Sequence, residues 1–319
     1  MKNIFRTILF ALLIKASSLE AQSVIFNKVL PPEGENFLHI TGIVQDKLGY
    51  MWMASKKGLY RYDGYNFVSY KNNPLNPNSL ASNALESICL DSSGILWIGT
   101  FGSGLERFDP MTETFTHIHH DPKNKASLAS DTKAALLQDS KGILWVGTPK
   151  GLGRLDPMSG NFFHYTHQVS DPGSLSSNIV RTLYEDRQGT LWIGTGSAYL
   201  EPGELKDEGG LNRMNARTGK FTRYVHDPND PHSLINNKVS AIFEDSKGNF
   251  WVGTAGDGLH TMNRQTGSFE RYPYDATDPE KLSRPPLNKE WPWDHISFIK
   301  DISPEIGRGV RASYTVRFF

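Results

Sequence analysis

Apolar residues return along this chain in short runs, each bounded by glycine, proline, asparagine, aspartate or serine. The sharpest run has the form Asp-x-x-Gly-x-[Leu/Met/Phe]-Trp-[Ile/Val/Met]-[Gly/Ala]-[Thr/Ser] and occurs five times, at Trp52, Trp97, Trp145, Trp192 and Trp251. Successive tryptophans are 45, 48, 47 and 59 residues apart. One supersecondary unit per repeat of about that length stacks into a solenoid or a propeller. An insertion after Trp192 accounts for the long last interval.

The order of signals inside a unit is constant, as the second repeat shows. Residues 84–90 alternate loosely, 91–94 (Asp-Ser-Ser-Gly) turn the chain, and 95–100 are apolar and β-prone. Gly102 and Gly104 then turn it again, 105–108 extend and 115–119 close the unit. This reads as four short strands with turns between them. The turns Asp46/Gly49, Asp91/Gly94, Asp139/Gly142, Asp186/Gly189 and Asp245/Gly248 suit hairpin loops. There the aspartate bonds its own backbone and glycine takes positive φ, so these aspartates are read as turn formers rather than calcium ligands.

Four strands and one tryptophan per unit predict an all-β fold, a β-propeller of four-stranded antiparallel blades, with five recognisable repeats within residues 22–272. Trp52, Trp97, Trp145, Trp192 and Trp251 are expected to be structural and buried between blades. The phase of the repeats predicts an incomplete ring. Residues 26–30 stand where a closing strand belongs, like those starting at Phe67, Phe115, Phe162, Phe221 and Phe269, yet the fifth repeat already has its own. The non-repeat tail, 273–319, offers a first-strand imitation at 295–301 but no Trp-Ile-Gly-Thr block. It is read as a partial sixth blade. Open sheet edges of this kind favour self-association.

At the end of the tail Val310, Ala312, Tyr314, Val316 and Phe318 alternate with polar residues. That pattern is similar to the closing strand of an outer-membrane barrel. A single strand makes no barrel, and the expected role is an amphipathic strand that patches the propeller edge.

Composition changes this picture little. The 319 residues include 34 basic and 34 acidic side chains, so no charge excess points to nucleic acid or an anionic membrane as partner. Cys89 is the only cysteine and is read as a buried structural thiol, which excludes an intrachain disulfide. Lys2 and Arg6 precede the apolar run 8–14, and small residues lead to a cut after Ala21. Residues 1–21 are therefore expected to be a signal peptide, with a periplasmic or secreted destination. No later segment could span a bilayer as a helix.

The stretch 91–109, Asp-x-x-Gly-x-Leu-Trp-Ile-Gly-Thr followed by Gly-Leu-x-Arg-x-Asp with one extra spacer residue, resembles the two-component regulator propeller repeat. Residues 139–156 and 46–63 match it too, and the resemblance covers about residues 26–272. In that family such propellers form the periplasmic sensing part of bacterial hybrid two-component proteins and often detect glycans. An immunoglobulin-like domain, a membrane helix and a histidine kinase or other output module follow them. Nothing after Tyr272 resembles a kinase, receiver, cyclase or DNA-binding helix pair, so kinase activity is not carried onto these residues and no catalytic motif is assigned.

Residues repeated in every unit serve the scaffold, so ligand chemistry is sought where units differ. Variable positions cluster after the tryptophan strand. The ligand-binding candidates are Lys56, Phe101, Lys150, Tyr199, Glu201 and Asp257, on turns held by a rigid scaffold. Phe101 or Tyr199 could stack on a sugar ring, with Lys56, Lys150 or Asp257 bonding hydroxyls or carboxylates. The arginine after Gly-Leu (Arg61, Arg107, Arg154, Arg213; Thr261 in the fifth unit) is expected to meet an aspartate at the blade edge. His117, His119 and His120 form the one histidine cluster, without a carboxylate at a telling distance, so no metal is assigned.

There is no nucleophile elbow, phosphate loop or cofactor motif. Glu201 and Glu204 could be pictured as a catalytic pair, but acids in an insertion lack the fixed separation catalysis needs. The expected function is thus an exported ligand-sensing propeller, with an oligosaccharide as the foremost ligand. A protein-interaction scaffold is the alternative, and a propeller lyase or hydrolase comes third.

Overall fold

The computed structural model describes residues 37, 39–132, 135–197, 209–256, 258–272, 294–301 and 310–314. The expected signal segment and the strand expected at 26–30 lie outside them, as do Tyr199, Glu201 and Asp257. The described residues form strands and turns with no helix.

Four blades repeat one plan. Blade 1 is β1 (Ile40–Gln45), β2 (Met51–Ser55), β3 (Gly58–Tyr62) and β4 (Phe67–Tyr70). Blade 2 is β5 (Leu85–Leu90), β6 (Leu96–Thr100), β7 (Leu105–Asp109) and β8 (Thr114–Ile118). Blade 3 is β9 (Ala135–Gln138), β10 (Leu144–Thr148), β11 (Gly151–Leu155) and β12 (Phe162–Tyr165). Blade 4 is β13 (Val180–Glu185), β14 (Leu191–Thr195), β15 (Gly210–Asn215) and β16 (Lys220–Tyr224). Each is an antiparallel meander in chain order.

Blade 5 comprises β17 (Val239–Glu244), β18 (Phe250–Gly256), β19 (Leu259–Met262) and β20 (Phe269–Tyr272). β18 runs on past the register of its neighbours, and its end pairs with β21 (Asp294–Asp301), which pairs in turn with β22 (Val310–Tyr314). β21 also packs on β17, as β17 packs on β13 and β5 on β1. It thus stands in the position of a following first strand. Among the described residues the stack runs from blade 1 through blade 5 to β21 and does not close on blade 1.

The interfaces explain why the repeat keeps its tryptophan. All five indoles are buried, between 0% and 8% exposed. Four of them head an inter-blade core. Trp52 meets Leu80, Leu85, Ile98 and Phe108 of the next unit, and Trp97 meets Leu128, Leu144 and Val146. Trp145 meets Leu175, Val180 and Ile193, and Trp192 meets Leu234, Val239 and Phe250. Burial of the indole against these apolar side chains stabilises each interface.

The glycine two residues after the tryptophan, within the same strand, has a steric cause. A Cβ on Gly194 would lie 2.5 Å from Thr182 and 2.7 Å from Val239, and one on Gly147 would lie 2.4 Å from Val180. The first strand of the next blade presses against the backbone there.

The aspartate of each turn does more than turn the chain. Its Oδ1 accepts backbone N–H groups two and four residues on, for instance Lys141 at 3.0 Å and Ile143 at 2.8 Å for Asp139. Its Oδ2 accepts the indole N–H of the tryptophan six residues on. The five distances, from Trp52–Asp46 to Trp251–Asp245, are 2.8, 3.0, 2.8, 2.8 and 2.9 Å. A buried indole needs a partner for its one donor, and the turn supplies it. Burial pushes the carboxyls of Asp91, Asp186 and Asp245 up. These donors outweigh burial and hold all three below the ordinary aspartate range.

The arginine after Gly-Leu meets an aspartate as expected in blade 3, where the Arg154 charge helps lower Asp156, and it has a second role. It pairs across the strands with the tryptophan itself: Arg61 with Trp52, Arg107 with Trp97, Arg154 with Trp145 and Arg213 with Trp192. The guanidinium of Arg61 lies 5.6 Å over the Trp52 ring and that of Arg213 lies 5.9 Å over Trp192. Arg61 also reaches a glutamate, Glu113, at 3.5 Å, rather than an aspartate. In blades 1 and 4 the cation thus covers the indole face.

Candidate ligand-binding face

The meander puts the Asp-x-x-Gly turns at one end of the blades and the turns after the tryptophan strand at the other. The first end is committed to holding neighbours together. Ser92 N–H donates to the Gln138 side chain of the next blade at 2.7 Å, Ser140 to Glu185 at 2.6 Å, and Arg187 N–H to Glu244 at 3.0 Å. Arg264 adds contacts to Asp186 at 3.1 Å and Glu244 at 2.7 Å.

At the other end the repeated residue of each turn is also consumed by the scaffold. Ser55, Thr100, Thr148, Thr195 and Thr254 donate their hydroxyls to the carbonyls of Gly58, Gly104, Gly151, Gly210 and Gly258. The next residue donates its N–H to the loop that leads into the first strand: Lys56 to His39, Phe101 to Ala84, Gly196 to Ile179 and Ala255 to Lys238, at 2.8–3.0 Å. In blade 3 that position is Pro149, which has no N–H to give. Its side chains are what vary.

Of the candidates, Lys56 and Phe101 are brought together and Lys150 stands apart. The Lys56 ammonium pairs with Glu86 and lies 5.6 Å over the Phe101 ring. Phe101 is 62% exposed and forms a β-bridge with Thr132. Lys150 is exposed on the blade 3 turn. Tyr199, Glu201 and Asp257 lie outside the described residues. Glu86 escaped the sequence reading because it lies on a first strand. It is the extra residue of a bulge between Leu85 and Ser87, and bulges re-aim side chains. The bulged residues of blades 1, 4 and 5 are Thr41, Arg181 and Ser240.

The histidines belong to the scaffold. His120, His167 and His226 open equivalent loops, where the backbone N–H donates to Asp131, Asn178 or Asn237. Nδ1–H of each ring donates to the carbonyl of Leu128, Leu175 or Leu234 at 2.6–2.7 Å. Among the described residues no three histidine, cysteine or carboxylate side chains gather as a metal site.

A second position varies between blades and is buried. The residue after Gly-Leu on the third strand is Tyr60, Glu106, Gly153, Asn212 or His260. Where it is polar it anchors the loop entering its blade. Asn212 accepts the Ser176 N–H at 2.9 Å. His260 accepts the Ile235 N–H on Nε2 at 3.1 Å and donates Nδ1–H to Val252. Burial pushes His260 down to about 4. Glu106 is fully buried and bonds His117 at 2.7 Å, while the other His117 nitrogen faces the Pro77 carbonyl at 2.8 Å.

Burial raises the Glu106 carboxyl above its ordinary range, only partly offset by His117 and the Ala81 N–H. Burial alone would lower His117, but the Pro77 carbonyl and then Glu106 outweigh it and raise that imidazole. The Cys89 thiol is pushed up, chiefly by burial.

Comparison with known proteins agrees with this geometry. Residues 79–102, 127–150, 174–197 and 233–256 match the two-component regulator propeller family. Each match spans the end of a loop, a first strand, its turn and the tryptophan strand. A histidine kinase P4 of Formosa agariphila is 38% identical over 85 residues, covering 25% of this chain and 6% of the kinase.

Among solved structures, the extracellular domain of a hybrid two-component system from B. thetaiotaomicron is 28% identical with a TM-score of 0.60. The match covers 73% of this chain and 29% of that one. Virginiamycin B lyase from Staphylococcus aureus is 13% identical with a TM-score of 0.52, covering 76% and 72%. That last likeness is one of fold alone.

Proposed function

We propose that this chain, which carries two-component regulator propeller repeats in blades 2 to 5, is an exported ligand-sensing propeller of the two-component signalling type. Its signal would pass to an output module outside these residues. The observation that carries the reading is the division between the two ends of the blades. The turn end is used up by Asp–Trp bonds and inter-blade ties, whereas the opposite end varies from blade to blade and presents Phe101 beside Lys56. The likeness to the extracellular domain of a hybrid two-component system supports sensing as the use of that end.

The ligand class is a glycan. An exposed ring offers a stacking platform, and the Lys56 ammonium beside it offers a polar group for hydroxyls. Calorimetric titration with soluble oligosaccharides tests this: saturable, stoichiometric heat that Phe101→Ala weakens supports it. Absence of heat with every glycan tried, together with tight capture of a secreted or membrane protein, would favour the scaffold reading instead. That second reading draws on Tyr65, Met111 and Met158, which are 91%, 85% and 93% exposed at equivalent outer hairpin tips of blades 1 to 3.

A further inference from the structure

Glu86 and Phe101 form a constellation that the sensing role alone does not require. The Glu86 side chain is only 9% exposed, and the cation it faces comes from another blade. That cation, Lys56, is 23% exposed and lies over an aromatic ring at the same time. An ammonium held between a carboxylate and a ring face has the two partners by which proteins recognise ammonium ligands. The backbone that carries the ring is held through the Phe101 N–H to Ala84 at 2.8 Å and its bridge to Thr132.

The equivalent positions elsewhere are Lys56, Pro149, Gly196 and Ala255, so Phe101 is the aromatic of this set. Among the described bulges, Glu86 is likewise the acid. A lysine on a flexible stem with a compact charge can swing to water when another cation takes its place.

We propose that Glu86 and Phe101 form a recognition site for an alkylammonium group, in which Lys56 is the resident occupant, and that the ligand is an amino sugar with a free amine. Its ammonium replaces that of Lys56 on Glu86, and its ring covers Phe101. The inference rests on the glycan-sensing reading and narrows it to a cationic glycan.

Glucosamine and glucose differ at this site only by the amine, so calorimetric titrations at pH 6 with these two sugars provide the test. Lys56→Met removes the resident cation and keeps its length. It should bind glucosamine at least about tenfold more tightly than glucose, the span expected of a hydrogen bond to a charged group. Glu86→Gln in that background should abolish the preference. In the wild type the preference persists at a smaller ratio, because Lys56 competes. Phe101→Ala, which leaves the Lys56–Glu86 tie intact, should weaken glucosamine about two- to fivefold, as for an exposed cation–π contact.

Thermal melts establish that the Lys56→Met variant is folded, and the Phe101→Ala comparison stands independently of it. Equal affinity for the two sugars in Lys56→Met would overturn the ammonium site while leaving glycan sensing in place. Affinity unaffected by either Glu86→Gln or Phe101→Ala would place the sugar elsewhere and overturn the site as well.

Discussion

The bond between turn aspartate and strand tryptophan should make the two residues energetically one unit, and Asp139 with Trp145 is a clean pair on which to measure it. Trp145 is 5% exposed and faces Leu175, Val180, Ile193, Met214 and Phe221 across the interface of blades 3 and 4. Replacing it with alanine empties an aromatic core site, which costs about 3–5 kcal/mol. Trp145→Phe keeps most of the packing and deletes the indole N–H.

Asp139→Ala deletes that acceptor together with those for Lys141 N–H and Ile143 N–H. A hydrogen bond to a charged group contributes about 1.5–3 kcal/mol. The double-mutant cycle of Trp145→Phe and Asp139→Ala should therefore show a coupling of about 1.5 kcal/mol, the low end, since the carboxylate is only part-buried. Urea unfolding followed by far-UV circular dichroism gives all four free energies. A coupling below about 0.3 kcal/mol, the scatter of independent sites, would refute the unit. A loss below about 1 kcal/mol for Trp145→Ala would remove the tryptophan from the core altogether.

Protonation of His260 should weaken the protein in acid. Its folded pKa of about 4 lies below the ordinary 6.5, so stability is present in full above 6.5 and is lost as pH falls from there toward 4. The span corresponds to about 3 kcal/mol. His260→Asn, which copies the anchor of blade 4, should flatten this acid limb in melts recorded against pH. His117 runs the other way: its folded pKa is raised, so its contribution is full below 6.5 and fades as pH rises through the folded value. A pH series on His117→Gln should lack that decline, and an unchanged slope would count against the pair with Glu106.

Gly194→Ala should cost about 1–3 kcal/mol through overpacking against Thr182 and Val239, and a variant that melts with the wild type would show the interface to be looser than described. Arg271 clasps the loop into blade 5 by bonds to Asp230, Ser233 and Leu234. Arg271→Met should speed proteolysis within residues 226–238, and an unchanged cleavage pattern would argue against a clasp.

Most of the scaffold was legible because a repeat states each structural need five times. Blade number, the four-strand order and tryptophan burial all followed from spacing and turn chemistry. The Asp–Trp bond was written in the same motif, but its six-residue separation crosses a hairpin. It becomes visible only when the turn folds the two side chains together. The place of Arg61 and Arg213 over the indole face was hidden likewise, because it depends on the cross-strand pairing of arginine with tryptophan. His120, His167 and His226 also needed three dimensions, because each bonds a carbonyl eight residues away across a closed loop, a relation without periodicity. At the candidate face, Lys56 and Phe101 are 45 residues apart in sequence. Their proximity follows from occupying the same turn of successive blades. Glu86 was missed because a bulge, not strand alternation, decides where its side chain goes.

A propeller whose two ends carried equal structural duty would leave little room for a specific ligand. Here the duty is unequal. The aspartate turns are tied to their own tryptophans and to the next blade in succession, so a change in one turn disturbs two units. In blades 1, 2 and 5 the opposite turns are held by backbone and hydroxyl groups, with lysine, phenylalanine or alanine at the following position. All three make the same N–H contact to the incoming loop. Substitution at Phe101 is therefore inexpensive for stability and free to serve recognition, so specificity is expected to reside in such side chains rather than in the fold. Exchanging Phe101 for glycine, the residue blade 4 uses, should leave the melting temperature within about 2 °C, as for a surface change, and should alter ligand binding. A large drop in melting temperature would mean that this end, too, is structural.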